Sequence, residues 1–132
     1  MTATVAAARN AYTRGGVATA APPQLLVMLW DRIVLDVERA LRAQLKADWE
    51  EAHHQLLHAQ ACYTELLSSL DTEGWEAGPQ LASLYDYLNR RLVVANVQRD
   101  QRATKEVLAH SRALRDTWHQ AVIAAAQQAS LG

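Results

Sequence analysis

A chain of 132 residues can bury one ordinary core, about two thirds of its extended surface, and has no length for a second domain. Thirteen basic and 14 acidic residues leave a formal charge of −1, so the broad positive field that a phosphate backbone demands is missing and nucleic acid is excluded as a partner. The single cysteine, Cys62, cannot close an internal disulfide, no basic segment with an apolar run and cleavage site opens the chain, and the longest apolar run, QLLVMLW, meets Asp31 and Arg32 well before the ~20 residues of a membrane span. The expectation is a cytoplasmic protein without membrane insertion.

Residues 1–21 hold no sustained period and read as a flexible N-terminal arm. Beyond them, residues 22–128 read as one unit, because Gly and Pro cluster at joints between stretches rich in Ala, Leu, Gln, Glu and Arg, which favour helix. Pro23 suits the first turn of a helix over 23–46, whose stripe of Leu26, Leu29, Trp30, Ile33, Val34, Val37, Ala40 and Leu41 spans roughly 140°. A stripe that wide touches two neighbours, which makes this helix the expected centre of the fold. Asp48, with Glu51 three residues on, suits the start of a helix over 49–70, where Trp49, Ala52, Leu56, Ala59, Tyr63, Leu66, Leu67 and Leu70 advance in steps of three and four. Pro79 opens a helix over 79–98, and Val107, Ser111, Leu114, Trp118, Ala121, Val122 and Ala125 mark another over 102–127. Four helices of similar length, joined by two very short connections and one of about eight residues, predict an all-α, antiparallel up-down-up-down four-helix bundle.

The third helix carries more apolar surface than docking requires. Its core stripe is Leu81, Leu84, Tyr85, Leu88, Leu92 and Ala95, within roughly 100°. Tyr87, Val94 and Val97 lie far round the helix from that stripe, with Val93 at its flank, and form a second strip expected to be partly exposed; Leu25, Met28 and Leu35 form a smaller one on the first helix. Two readings fit such strips: ordinary scattered exposure, or a groove for an amphipathic partner helix.

Charge is uneven as well. Residues 48–79 hold seven acidic residues (Asp48, Glu50, Glu51, Glu65, Asp71, Glu73 and Glu76) and no Lys or Arg, whereas the last helix and its approach carry Arg102, Lys105, Arg112 and Arg115. The simpler reading is two solvated faces that attract across neighbouring helices. His54 and His58, at i and i+4, have a spacing that can hold a metal, but no third ligand is evident, so neither a metal nor any other cofactor is expected. No nucleophile motif, phosphate loop or HExxH pattern occurs, adjacent acids such as Glu50 and Glu51 diverge around their helix, and Cys62 reads as a packing residue; no catalytic residue is assigned and an enzyme is not expected.

Four segments in order carry a resemblance. The stretch AYTRGGVATAAPPQLLVMLWDRIV resembles the opening of the flagellin-specific export chaperones of bacterial flagellar secretion, in which a tyrosine precedes a T-A-S-P element and an L-I-x-M-L-Y-D-G run. HAQACYTELLSSLD, LASLYDYLNRRLVVANVQRD and EVLAHSRALRDTW resemble that family's later helices, so the likeness runs from residue 12 to about residue 122. Three positions depart from the pattern: Ala21 stands where serine is usual, Trp30 replaces tyrosine, and Arg32 replaces a glycine.

The resemblance implies a cytoplasmic chaperone that binds the disordered C-terminal segment of flagellin, prevents premature polymerisation and assists delivery to the export apparatus; whether other flagellar export or regulatory proteins share the surface is left open by the sequence. It also implies that the arm around Tyr12 lies on the bundle and takes part in client binding. The candidate client residues are Tyr12, from the resemblance, and, from the helical wheel and not from the family, Leu25, Met28, Leu35, Tyr87, Val93, Val94 and Val97. Two other classes are weighed beside it: a helical adaptor for another amphipathic segment, and a metal-binding helical-bundle enzyme. Monomer and homodimer are equally compatible with the sequence.

Overall fold

Helix boundaries follow from a few cap residues. The computed structural model describes residues 22–73 and 77–131; the arm, with Tyr12, lies outside the described residues. Helix α1 runs Pro23–Leu45, α2 Trp49–Ser69, α3 Gly78–Val97 and α4 Gln101–Leu131. Proline occupies the first turn of α1 and of α3, where its missing N–H removes no helical hydrogen bond. Asp48 caps α2 by accepting from the Glu51 N–H at 3.2 Å. The reciprocal half of a capping box is not made, because the Asp48 N–H turns back to the Ala43 carbonyl at 2.8 Å and Glu51 accepts from Gln55 instead. Helix α4 is longer than its apolar stripe predicts: past Ala125, which packs against the core, the AQQASL tail is mostly of residues that favour helix and carries the helix on.

The two tight turns share one construction. In the first, Ala47 adopts φ 58° while Ala47 N–H bonds Gln44 and Asp48 N–H bonds Ala43, the pattern that closes a helix C-terminus with one left-handed residue. In the second, Arg99 adopts φ 51° and Asp100 N–H bonds Ala95 at 3.1 Å. An aspartate then starts the next helix in each case, Asp100 accepting from Arg102 and Ala103 N–H groups. Neither left-handed residue is glycine, so each carries a Cβ penalty; at Arg99 the guanidinium lies 4.7 Å from the Trp49 ring centroid, a favourable cation–aromatic contact.

The helices form a ring: α1 packs on α2 and α4, and α3 packs on α2 and α4. The up-down-up-down bundle is therefore as expected, but α1 is not its centre, since each helix has two packed neighbours. The opposed-charge reading also changes. Helices α2 and α4 are diagonal, not neighbours in the ring, and meet across the core at Tyr63 and Ser111; Arg112 of α4 instead pairs with Glu38 of α1 at 3.1 Å, and Arg115 with its own neighbour Asp116.

One large aromatic from each helix meets in the core: Trp30, Tyr63, Tyr85 and Trp118, all essentially inaccessible. Trp30 sets its ring against Tyr63 at 5.7 Å and 89° and against Tyr85 at 5.5 Å and 67°, edge-to-face geometries that favour the ring quadrupoles. The polar tips are paired inside the core, Trp118 Nε1 donating to Tyr85 Oη at 2.8 Å and Tyr63 Oη lying 2.7 Å from Ser111 Oγ. Burial pushes the Tyr63 phenol well above the ordinary tyrosine range, so it stays neutral. Trp30 Nε1 has no hydrogen-bond partner among the described residues. At the turn end, Gln44 Nε2 donates to the Ala95 carbonyl at 3.2 Å and Gln44 Oε1 accepts from Thr104 Oγ1 at 2.7 Å, so one buried amide joins α1, α3 and α4.

Two outcomes test this packing. Leu88 is fully buried, and Leu88→Ala should cost about 2–5 kcal/mol in denaturant unfolding. Replacing the left-handed Ala47 by glycine should raise stability by about 1 kcal/mol or less, because relief of the Cβ penalty outweighs the added freedom of the unfolded chain; a loss would mean that the turn is not held as described.

Candidate functional site

Surface that the core does not use is the site to examine. Leu25, Met28, Tyr87, Val93 and Val97 are exposed, as expected, with Met28 65% and Val97 76% accessible. Leu35 is half-buried, and Val94 is partly exposed, as expected of the strip, but it also packs against the core, which the helical wheel does not show. The reason is rotational: Val94 is three residues past Arg91, whose side chain reaches α4, and so it faces that helix more than solvent.

The structure does not gather these residues into one patch. Leu25, Met28 and Leu35 belong to α1, which is diagonal to α3 and not among its packed neighbours. On α3 itself the strip divides. Tyr87 faces α4, donating its hydroxyl to Glu106 Oε2 at 2.6 Å, while Arg91 Nε holds Glu106 Oε1 at 2.8 Å. Val93 lies on the other side, between Asn89 and Asn96, whose side chains reach Thr64 and His53 of α2. Because the helices are antiparallel, that register brings Val93 level with the turn of α2 that carries exposed Leu57. Val97 continues this side to a pocket of about 390 Å³ lined by Gln44, Trp49, His53, Asn96, Val97 and Arg99 among others. Leu57 was not foreseen; its signal was available as an apolar residue outside the α2 stripe.

Glu106 is the other residue that sequence reasoning missed, since nothing in a helix pattern announces a cross-helix partner. The Tyr87 hydroxyl, and after it the Arg91 guanidinium, hold its carboxyl below the ordinary glutamate range, while the same hydrogen bond to Glu106 raises the Tyr87 phenol. A depressed carboxyl contributes stability above its unfolded pKa and loses it as pH falls through the folded value. The site is exposed and the effect on stability is accordingly small.

Histidines are placed differently from the expected pair. His58 lies against Asp36 of α1, with Cys62 one turn further along α2, whereas His54 is not among these contacts. Asp36 was missed although its position was legible, an acid between Ile33 and Ala40 on the buried stripe. Among the described residues no helix is long and apolar enough to cross a membrane.

An all-α bundle that keeps apolar side chains on its outer faces has the architecture of a helical interaction module. Comparison with known proteins gives that module a family: the profile described as "Flagellar protein FliS" matches residues 5–126, and the chain belongs to this family. It is 33% identical over 113 residues to the flagellar secretion chaperone FliS of Bacillus subtilis (strain 168), covering 86% of this chain and 84% of that protein. Its identity to the flagellar secretion chaperone FliS of Campylobacter jejuni is 28% over 114 residues, covering 86% of this chain and 89% of that one.

The Glu106 cluster yields a direct measurement. In a carbon-detected NMR titration the Glu106 carboxyl should have a midpoint below the ordinary glutamate range, and Tyr87→Phe should move it upward; an unchanged midpoint would show that the hydroxyl contact is not held in solution.

Proposed function

We propose that this protein is a cytoplasmic export chaperone for flagellin, binding the client's disordered C-terminal segment, blocking premature polymerisation and assisting delivery to the flagellar export apparatus. Membership of the flagellar secretion chaperone family across nearly the whole chain is the observation that carries the reading. The surface supports it physically. An amphipathic segment whose apolar face self-associates in a filament must be covered reversibly, and side chains such as Met28, Val93 and Val97 offer apolar area that the bundle's own core leaves unused.

Distribution of these residues over several faces suits an extended client that wraps the bundle better than one short helix in one groove. Such a client is ordered only on binding, and the entropy of ordering offsets part of the contact energy, keeping the complex reversible. Binding and release of this kind need no chemical step, and the protein acts as a chaperone and not as an enzyme. Tyr12, outside the described residues, belongs to the proposed client surface through its match to the family's N-terminal tyrosine.

Titration with the last ~40 residues of flagellin should give a Kd on the order of micromolar or tighter together with a gain in helicity. No binding at those concentrations would contradict the reading. Val93→Glu and Val97→Glu should each weaken binding several-fold with a Tm within a few degrees of the parent, because both side chains are exposed. Val94→Glu should lower the Tm clearly, since this side chain packs against the core.

A further inference from the structure

Asp36 is a carboxylate with no solvent exposure, on the face of α1 that meets α2. A charge in that position requires partners, and it has two: Arg32, one turn earlier on α1, donates Nε to Oδ1 at 2.9 Å, and His58 of α2 lies against Oδ2. Arg32 is where the family pattern resembled above has glycine. Cys62 follows His58 by four residues, so both face the same side of α2, and its Sγ lies 3.8 Å from His58 Nδ1. One ligand atom from each of Asp36, His58 and Cys62 falls within 4.8 Å of the others.

We infer that Asp36, His58 and Cys62 form a binding site for a single zinc-class divalent cation, held between α1 and α2. The donor set selects the ion. Calcium and magnesium take oxygen ligands, whereas an imidazole nitrogen, a thiolate sulfur and a carboxylate oxygen together are the three ligand types of zinc. Ligand atoms around a tetrahedral zinc are roughly 3.3–3.7 Å apart given bond lengths of ~2.0–2.3 Å, so small side-chain rotations close the present triangle. Asp36 comes from one helix and the other two ligands from successive turns of its neighbour, so binding clamps α1 to α2. Arg32 plays the orienting part, holding Oδ1 so that Oδ2 faces the ion. His58 is half exposed and provides the way in, and water completes the fourth position.

The balance of protons follows from the thiol. Burial first, and the Asp36 carboxylate after it, push Cys62 up to about 11, so it is protonated at neutral pH and must lose its proton to solvent as the sulfur–metal bond forms. The ion replaces the proton at the cluster and no oxidant or reductant is involved. This site is independent of flagellin binding, and a chaperone can hold such an ion without any catalysis.

The test uses the full-length protein, reduced and stripped of metal, titrated with Co²⁺ as a spectroscopic probe and then with Zn²⁺ in competition. The expected result is one ion per chain, a near-ultraviolet thiolate-to-cobalt band that Zn²⁺ abolishes, a proton released on binding, and a Tm raised by several degrees with Zn²⁺. Cys62→Ala should remove the band, and both Cys62→Ala and His58→Gln should weaken Zn²⁺ binding by at least about tenfold. His58 is exposed enough that His58→Gln should keep the parent circular dichroism, and His54→Ala should bind as the parent does. Absence of stoichiometric binding, binding unaltered in His58→Gln and Cys62→Ala, or binding lost in His54→Ala would overturn the assignment.

Discussion

Everything in this bundle depends on a meeting of four aromatic rings, one from each helix. Trp30, Tyr63, Tyr85 and Trp118 fill the centre, and because two of them are tyrosines the middle of the core contains polar atoms that must be matched. Trp118 and Ser111 of α4 provide the match, so the hydrogen bonds to Tyr85 and Tyr63 fix the rotation of α4 relative to α2 and α3. Apolar contact alone would tolerate a turned helix; a buried hydroxyl without its partner would not. The rotation so fixed decides which residues are left outside, including those proposed for the client.

A second constraint operates at the turn end. Two turns of the same construction bring an α1–α2 pair and an α3–α4 pair to one end of the molecule, and Gln44 ties them through the Ala95 carbonyl and Thr104. With the frame held at its centre and at one end, apolar side chains such as Met28 of α1, Leu57 of α2 and Val97 of α3 are left exposed outside the core. That division of labour is what a chaperone of this family needs: a rigid support whose surface can be covered and uncovered without unfolding it.

The sequence carried most of the fold because helix periodicity is a local signal. Leu81, Tyr85, Leu88, Leu92 and Ala95 were legible as the buried side of α3 from spacing, and all five are buried. What spacing does not carry is which helix lies beside which. For that reason the charge pattern suggests α2 and α4 as neighbours when they are diagonal, and a helical wheel leaves Val94 partly exposed without showing that its side chain turns toward α4 and the core. The candidate client strip likewise looked continuous on a helical wheel. In three dimensions Tyr87 is engaged with Glu106 on one side of α3, and Val93 lies level with Leu57 on the other. Family membership was legible for a different reason, since short motifs in a fixed order survive where no single one is specific.

The proposed client surface consists of the side chains surplus to the bundle and not of those that build it. Mapping amide chemical-shift changes in the isotope-labelled protein on addition of the flagellin C-terminal segment tests this most directly. Changes should concentrate at Met28, Leu57, Tyr87, Val93 and Val97, with the amides of Trp30, Tyr63 and Leu88 nearly still. Changes centred on those buried positions, or on the Arg112–Glu38 side of the bundle alone, would contradict it.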